Sequence, residues 1–418
     1  MLRGASTVVL VTVLAIAPAA DAARSKRPVL RSFASCGELV SYAKKHAPAQ
    51  GRQKRGTGGP PPSASPRNAP MQDLLSAPDE TASFSPTNNQ EAGVDEADVV
   101  KTDGNRIFAA VDNTLHVMDA ASGARLGSVK LAGRGHDLLL SGERLLAIST
   151  VEDPSSVGGP GRPAPARAAS PLPGSFVRGT TTISEIDVSG APKVIRTQEV
   201  DGNHMSARMI GTTARIAVHS KPRAEYEVPH PRSRATGWLP SSKTGAPKVR
   251  KGAGGKAVPC REVRRSSVFS GLDVLTVLTV DMAKGLPAVD SDAVMTDAQT
   301  AYGSERGLYL TTESGEHLTA IHKFDVSKPG ETSYAGSGSV SGSVLNQFSL
   351  SEKDGFLRVA TTGREGNESA SQVTVLDGAL NRAGHVGGLG KGEEIHSVRF
   401  IGDRGYVVTF RQIDPLYT

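Results

Sequence analysis

Five histidine and aspartate residues recur at a similar distance ahead of a glycine. Asp98, His136, Asp297 and His396 each lie six residues before a glycine, and His204 lies seven residues before one. Imidazole and carboxylate groups can bind metal ions or transfer protons. If the fold brings these positions together, they form a candidate ligand-binding site. The plainer interpretation is that they are solvated side chains without a ligand.

An acidic stretch surrounds the first of these positions. Its carboxylates belong to Glu91, Asp95, Glu96, Asp98 and Asp103, and they suggest a calcium site. An EF-hand needs oxygen ligands at fixed loop positions, a central glycine and a late glutamate, and the spacing here does not match. Asp103 with the following glycine has the chemistry of a tight turn. We therefore interpret the stretch as the start of a strand and its turn, and we predict neither a metal nor a cofactor.

Familiar catalytic motifs are absent from the sequence. There is no GxSxG and no HExxH, and Gly390-Lys391 is not followed by the serine or threonine of a P-loop. The sequence therefore names no reaction, and an enzyme is an alternative interpretation rather than the leading one.

Seven basic residues lie close together between positions 248 and 265. They are Lys248, Arg250, Lys251, Lys256, Arg261, Arg264 and Arg265. Clustered cations can hold anionic wall polymers or lipid headgroups, although charged loops of this kind are commonly only solvated. An anionic cell-wall polymer is therefore one expected partner, beside a protein or a peptide. Nucleic acid is not expected.

The elements that must position these residues form a degenerate repeat. Each unit has a turn glycine followed by an apolar run, and these are Gly104, Gly142, Gly211, Gly303, Gly355 and Gly402. In five units an alternating run then ends in an aspartate, at Asp119, Asp187, Asp281, Asp325 and Asp377. An aspartate at such a place can bond its own backbone two residues later and begin a turn.

Four short strands in each unit are typical of a propeller blade. The turn glycines are 38 residues apart across the first unit and 47 across the fifth, which brackets the usual blade length. The second and third units are longer, and we predict loop inserts at about 151–178 and 221–265. A content of 46 glycines and 26 prolines also suits a turn-rich β-protein. A β-sandwich is the competing architecture, but the regular strand order favours the propeller.

The beginning of the chain is organised differently. Residues 1–22 combine an early arginine, an apolar run and a small-residue cleavage pattern at Ala20-Asp21-Ala22, which is typical of a secretory signal. Within the following segment, 23–47, Ser35 and Glu38 have the spacing of a helix capping box. Residues 48–86 are predicted to be a disordered linker rich in proline and glycine.

Two cysteines, Cys36 and Cys260, are present. Export implies an oxidising compartment, where two cysteines commonly pair, so we predict a disulfide between them. After cleavage of the signal, no transmembrane helix is expected.

Three long segments carry a family resemblance. They are TNNQEAGVDEADVVKTDGNRIF, LNQFSLSEKDGFLRVATT and IHSVRFIGDRGYVVTFRQIDPLY. These resemble a family of secreted bacterial proteins with a C-terminal β-propeller distantly related to WD-repeats. The resemblance covers roughly residues 30 to 418 apart from the inserts. It implies the fold and export, and it supplies no catalytic residues.

Members of that family continue past DPLY through further blades, whereas this chain stops at Thr418 inside a sixth unit. We therefore expect an all-β chain whose residues 87–418 form an incomplete β-propeller of four-stranded antiparallel blades. Five units and the start of a sixth should form an open arc. The predicted function is a ligand- or partner-binding module that is secreted or held in the cell envelope. An extracellular enzyme with its site at the channel mouth and a structural surface scaffold are the alternatives.

Overall fold

The computed structural model describes residues 28–51, 89–152, 179–222, 237–245, 253–314, 317–366 and 368–410. The predicted signal peptide, most of the predicted linker and nearly all of the first insert lie outside these ranges. Within them the chain is mostly β-strand, with one α-helix. Two short strands and this helix precede the repeat: β1 (Leu30–Ser32), α1 (Cys36–Gly51) and β2 (Asp95–Glu96).

The helix begins where the capping pattern predicts. The backbone N–H of Glu38 donates to Ser35 Oγ at 3.1 Å, and the Glu38 carboxylate accepts the backbone N–H of Ala34 at 2.8 Å. Two N–H groups near the helix start are thereby satisfied by side chains. The return bond goes to Ala34 instead of Ser35, one residue earlier than in the standard box.

The repeat folds into successive antiparallel sheets. The first blade contains β3 (Val100–Thr102), β4 (Arg106–Val111), β5 (Thr114–Asp119) and β6 (Arg125–Lys130). The second contains β7 (Arg134–Ser141), β8 (Arg144–Glu152), β9 (Gly179–Asp187) and β10 (Lys193–Asp201). The third begins with β11 (Asn203–Ile210) and β12 (Thr213–Ser220). Three strands of the second insert follow: β13 (Ser241–Gly245), β14 (Ala253–Lys256) and β15 (Val263–Ser266). The third blade then ends with β16 (Val274–Asp281) and β17 (Asp290–Met295).

The later blades contain no such insert between their strands. The fourth is formed by β18 (Thr300–Gly303), β19 (Gly307–Ser314), β20 (Leu318–Asp325) and β21 (Ser333–Ser341). A 3-10 turn (Gln347–Ser349) leads into the fifth, formed by β22 (Leu350–Lys353), β23 (Phe356–Glu365), β24 (Glu368–Leu376) and β25 (Arg382–Leu389). The described part of the sixth consists of β26 (Glu394–Ile401) and β27 (Arg404–Phe410). The predicted series of four-stranded antiparallel units is confirmed.

The aspartates that end the third strands act as turn caps. Asp187 shows the arrangement: its Oδ1 accepts the backbone N–H of Ser189 at 2.9 Å and the Ser189 hydroxyl at 2.7 Å. These bonds lower the pKa of the Asp187 carboxyl. Equivalent bonds to a backbone N–H two or three residues later are made by Asp119, Asp281, Asp325 and Asp377. The recurring aspartate is therefore explained by turn chemistry.

Apolar clusters lie between neighbouring blades and hold them together. Members of one shared cluster come from each successive pair of blades: Phe108 with Leu145, Ile183 with Ile216, Val277 with Leu310, Ile321 with Leu357, and Ala360 with Val398. Fully burying one such large aliphatic or aromatic side chain contributes about 1.5–3 kcal/mol. Successive side chains of a strand point to opposite faces of its sheet, so each sheet supplies apolar residues to both neighbouring blades.

The second insert differs from the predicted loop wherever it is described. Strands β13 and β14 extend the second blade, while β15 and β1 extend the third. Trp238 and Val258 are fully buried, and they share a cluster with Phe33 and Leu39 of the N-terminal segment. Apolar residues lie between the basic residues of this insert, and the apolar side chains pack against α1. Residues 223–236 and 246–252 lie outside the described ranges.

The edges of the series can be followed only in part. Strand β3 pairs with β4, and β26 pairs with β27. The segment Asp414–Thr418, whose pairing with Val99–Lys101 would contradict the expected open arc, lies outside the described residues. The open arc therefore stays a prediction.

Candidate ligand-binding site

The innermost strand of each blade contacts its neighbours. Contacts join β3 to β7, β7 to β11, and β11 to β18. Because the blades share one antiparallel order, the inner strands begin at a common end of the propeller. We call this end the upper face. Residues near the start of inner strands, which include the five predicted positions, are therefore candidates for the upper face.

The acidic stretch before β3 crosses the inner strands instead of only leading into one. Gln90 Nε2 donates to the carbonyl of Leu350 in the fifth blade at 2.9 Å. The Tyr302 hydroxyl in the fourth blade donates to the Glu91 carboxylate at 2.6 Å. Strand β2 pairs with β11 in the third blade, and Asp98 forms a bridge with Leu138 in the second. We call residues 89–98 the strap; it places the chain's own backbone against the inner strands of four blades.

The carboxylates of the strap have partners within the fold. Lys101 is 4% exposed and donates to the Asp95 carboxylate at 2.6 Å. Arg208 lies 3.5 Å from the Glu96 carboxylate. Burial raises the pKa of Glu91, against the effect of the Tyr302 hydroxyl. These carboxylates serve the architecture, and within the described ranges no group of three or more histidine, cysteine or acidic residues could hold a metal ion.

The turn at the end of β3 follows the prediction. Asp103 Oδ1 accepts the backbone N–H groups of Asn105 at 3.0 Å and Arg106 at 2.7 Å. The carboxylate thereby folds the chain back into β4.

Three inner strands carry a β-bulge near the upper face. In β7 the bulge comprises Gly135 and His136, whereas the extra residue is Met205 in β11 and His396 in β26. His136, Met205 and His396 each lie six residues before the turn glycine of their blade. A bulge redirects a side chain and increases local twist. The position equivalent to His136 in the third blade is therefore Met205. His204 precedes the bulge and pairs with Val218.

The structure brings His136 and His204 close to one carboxylate. His204 Nδ1 lies 3.2 Å from Asp137 Oδ2, and Asp137 also acts electrostatically on His136. His136 is 5% exposed, and neither of its ring nitrogens has a hydrogen bond of acceptable geometry. His204 Nε2 is likewise buried without a partner. Burial lowers the pKa of His136, against weaker effects of Gly133 and Asp137.

The other three predicted positions have different surroundings. The Asp98 carboxylate accepts the backbone N–H of Val99 at 2.6 Å, so it caps the junction of the strap and β3. Asp297 Oδ1 accepts the backbone N–H of Asp273 at 3.3 Å. The His396 ring stacks on Phe410 with centroids 3.4 Å apart. Among the described residues, Asp137 links two of the five positions, because it lies against His204 and acts electrostatically on His136.

Sequence reasoning did not identify three residues of this face. Asp137 directly follows His136, and adjacency to a singled-out histidine was the available signal. A further pair, His219 Nε2 and Asp273 Oδ2, lies 3.1 Å apart between the end of β12 and the start of β16. Neither of its members stands at a fixed distance from a turn glycine, so the repeat did not reveal the pair.

The predicted basic surface is only partly described. Lys248, Arg250 and Lys251 lie outside the described residues, and Arg261 is exposed. Arg264 forms an ion pair with the buried Asp292, and Arg265 Nη2 lies 3.1 Å from Glu38 Oε1. Both arginines therefore have partners inside the fold.

The predicted disulfide between Cys36 and Cys260 is present, with the two Cα atoms 5.2 Å apart. It attaches the start of α1 to the second insert. Lys256 Nζ lies 3.2 Å from Cys36 Sγ and 3.4 Å from Cys260 Sγ. This lysine of the predicted basic set thus covers the bridge.

Comparison with known protein families agrees with the strand order, the shared inter-blade clusters and the inner strands described above. The model of the beta propeller domain matches residues 84–418. The chain belongs to this family. The propeller implied by the sequence resemblance is therefore confirmed, whereas its bacterial and secreted aspects are not supported by this match.

The propeller chain is similar to two uncharacterised archaeal proteins. It is 47% identical over 83 residues to one from Methanocaldococcus jannaschii, covering 19% of this chain and 13% of that protein. It is 44% identical over 99 residues to one from Archaeoglobus fulgidus, covering 24% and 15% respectively. The matches thus span less than a sixth of either relative's length.

A solved structure with some likeness is the acylaminoacyl peptidase of Pyrococcus horikoshii. The likeness has 12% identity and a TM-score of 0.28, and it covers 68% of this chain and 44% of that one. At that level it carries no argument about the propeller chain. Among the described residues, no helix has the length and apolar character needed to cross a membrane.

Proposed function

We propose that this propeller is an exported binding module that holds a ligand or partner in the cell envelope or outside the cell. The ligand contacts the upper face at His136 and His204. The observation that carries the proposal is that, among the described residues, both ring nitrogens of His136 and Nε2 of His204 are buried without a hydrogen bond of acceptable geometry. Leaving a buried polar group without a partner costs about 1–3 kcal/mol, so a ligand that supplies partners gains binding energy there.

The chemistry of the two rings points to a hydroxyl- or amide-bearing ligand. Because burial lowers the pKa of His136, its ring is neutral at pH 7 and offers one donor and one acceptor. Asp137 Oδ2, 3.2 Å from His204 Nδ1, favours a proton on Nδ1, and Nε2 is then the acceptor of the neutral ring. Sugar hydroxyls and peptide amides match such a mixed set. Peptides and envelope glycans are therefore the proposed ligands.

Export is supported by two independent features. Residues 1–22 have the three regions of a secretory signal, and the disulfide suits an oxidising compartment. The resemblance to secreted proteins points the same way. N-terminal sequencing of the protein recovered outside the cytoplasm should begin at Ala23 or within a residue or two of it. Recovery there with an intact Met1 would contradict the cleavage.

The binding proposal is tested by probing a glycan array and a phage-displayed peptide library with the purified mature chain. We expect at least one glycan or peptide to bind saturably. The double variant His136→Gln/His204→Gln should weaken that binding about tenfold or more. His116→Gln, which changes a half-buried histidine of β5, is the matched control and should bind as the parent does.

The alternatives give different results in the same experiment. Chemical conversion of a bound probe, lost in the double variant, would identify the enzyme alternative. Absence of saturable binding to either collection would favour the scaffold and overturn the proposal. Equal binding by the parent and the double variant would remove the two histidines from the site.

A further inference from the structure

The disulfide between Cys36 and Cys260 has a charged neighbour. Lys256 Nζ lies 3.2 Å from Cys36 Sγ and 3.4 Å from Cys260 Sγ, so one ammonium group contacts both sulfurs. A disulfide sulfur is a weak acceptor, so this contact contributes little while the bridge is intact. A thiolate carries a full negative charge, and the same ammonium group stabilises it much more strongly once the S–S bond is broken. Lys256 therefore favours the opened form of the bridge.

The lysine is available for this role. Its side chain is exposed. Among the described residues, the two sulfurs are the hydrogen-bond contacts of its ammonium group, and no carboxylate forms an ion pair with it. The positive charge of Lys256 is therefore not shared with an acidic side chain of the described ranges.

The position of Cys36 acts in the same direction. Cys36 is the first residue of α1, a helix of 16 residues. The N–H groups and the dipole at a helix start stabilise a negative charge, and cysteines at such places form thiolates more readily. The nearby Glu38 carboxylate is occupied, because it accepts the Ala34 N–H and lies 3.1 Å from Arg265 Nη2. Two independent features thus stabilise thiolates at this bridge.

The two sulfurs differ in their access to solvent. Cys36 is half-buried, whereas Cys260 is 5% exposed and belongs to the apolar cluster around Trp238. An incoming thiolate therefore meets Cys36 Sγ first. We propose that this disulfide is a thiol-exchange site. An external thiolate attacks Cys36 Sγ, forms a mixed disulfide there, and displaces Cys260 as a thiolate beside Lys256.

A second thiol completes the exchange. Its thiolate attacks the external sulfur of the mixed disulfide, which releases Cys36 as a thiolate and leaves the two external sulfurs joined. The two external thiols lose two electrons in total, and the protein disulfide gains them. The protons that the external thiols lose are taken up by Cys36 and Cys260 where these become neutral thiols. A dithiol supplies both sulfurs by itself.

Opening the bridge changes what holds the N-terminal segment. With the bridge closed, α1 is covalently attached to the second insert. With it open, the attachment rests on the pairing of β1 with β15, on the bond from the Phe33 N–H to the Val263 carbonyl at 3.1 Å, and on the apolar cluster that contains Leu39 and Trp238. Docking of α1 is therefore sensitive to thiols.

The test is the rate at which the folded, oxidised mature chain exchanges with reduced glutathione, a small thiol, and with reduced thioredoxin, a protein dithiol. In the glutathione reaction, iodoacetamide traps the released thiol, and peptide mass spectrometry locates both groups. We expect glutathione on Cys36 and the trapping label on Cys260. Lys256→Gln should slow exchange about fivefold, because the leaving thiolate loses an ammonium at ion-pair distance. Lys256→Arg keeps the charge and should stay within about twofold of the parent.

Lys243→Gln is the matched control, because it removes an exposed lysine from β13 of the same insert. It should exchange at the rate of the parent. Raising the salt concentration to about 1 M should reduce the difference between the parent and Lys256→Gln, since salt screens the ammonium. Thermal unfolding of each oxidised variant checks that the fold is retained.

Exchange with only glutathione or only thioredoxin supports the site and assigns the kind of thiol. Equal rates for the parent and Lys256→Gln, glutathione attached to Cys260, or reduction no faster than global unfolding would overturn it. The variant His136→Gln/His204→Gln should exchange as the parent does, which separates failure of this site from failure of the proposed upper-face function.

Discussion

His204 Nδ1 and Asp137 Oδ2 lie 3.2 Å apart across the inner strands of the second and third blades. The two residues belong to β11 and β7, so this contact joins neighbouring blades at the upper face. The carboxylate is 36% exposed while the imidazole is 9% exposed. The Asp137 carboxylate therefore contacts the nearly buried His204 ring on the side nearer to solvent. His204 Nε2 lies on the other side of the ring, away from Asp137.

Asp137→Asn should change the tautomer of His204 without unfolding the protein. A carboxylate at this place can only accept a proton from Nδ1, whereas the amide can also donate to that nitrogen. We expect ¹⁵N resonances of the His204 ring to report the Nδ1–H form in the parent at pH 7.5 and a mixture in the variant. Stability should fall by about 1 kcal/mol or less, because the pair is partly exposed.

Asp273→Asn is the matched control for that experiment, since Asp273 pairs with His219. It should leave the resonances of His204 as they are in the parent. An unchanged tautomer in Asp137→Asn would show that Asp137 does not orient the ring.

Acid should destabilise the protein partly through His322. This residue is fully buried, its Nδ1 lies 2.6 Å from the Ser337 hydroxyl, and burial lowers its pKa to about 4. The unfolded chain binds the proton near pH 6.5 and the folded chain does so only near pH 4, so stability decreases as pH falls through this window. The contribution lost is about 3 kcal/mol, and below pH 4 this residue adds no further loss.

Denaturant unfolding of the parent and of His322→Gln between pH 7.5 and 4 measures this effect. The variant should show a smaller fall in the free energy of unfolding over that range. His116→Gln should retain the full fall, as a control for the loss of any histidine. Parallel curves for the parent and His322→Gln would exclude His322 as a source of acid sensitivity.

Removing the disulfide should destabilise the attachment of α1. The bridge joins residues separated by 224 positions, and loop entropy sets an upper limit of about 5 kcal/mol on its contribution. We expect Cys36→Ser/Cys260→Ser to lower the unfolding midpoint and to increase amide exchange in α1 and β1. Reduction of the parent should reproduce the shift, while reductant should leave the double variant unaffected. Equal midpoints would show that packing around Trp238 suffices.

Gly342→Ala should loosen the contact between the fourth and fifth blades. Gly342 has φ +86, and an added Cβ would lie 2.5 Å from the Thr362 carbonyl oxygen. Strain of a left-handed backbone together with this clash should cost about 1–3 kcal/mol or more. Gly355→Ala is the control, because Gly355 has φ +80 but no atom within 4 Å of an added Cβ. If both variants lose the same free energy of unfolding, the close approach to Thr362 contributes nothing and backbone strain alone explains the loss.

Much of the fold was predictable from local patterns. Turn glycines such as Gly142 and turn-capping aspartates such as Asp187 act within two or three residues of their own position, so their spacing revealed the units. Ser35 and Glu38 predicted the start of α1 for the same reason. The second insert was harder to interpret, because its apolar residues, Trp238 among them, are separated by basic and glycine-rich stretches that resemble a loop.

The sequence by itself determined the order of the strands, the place of the turns and the pairing of two cysteines. These depend on short-range backbone chemistry and on the presence of only one possible partner. Only the tertiary structure decided that residues 89–98 cross four blades, that Asp137 serves His204, and that Gly342 lies against Thr362. Each of these relations joins residues from different blades, and its geometry depends on bulges and close backbone approaches. A bulge moves a side chain by one position, which the count of residues to the next glycine cannot reveal.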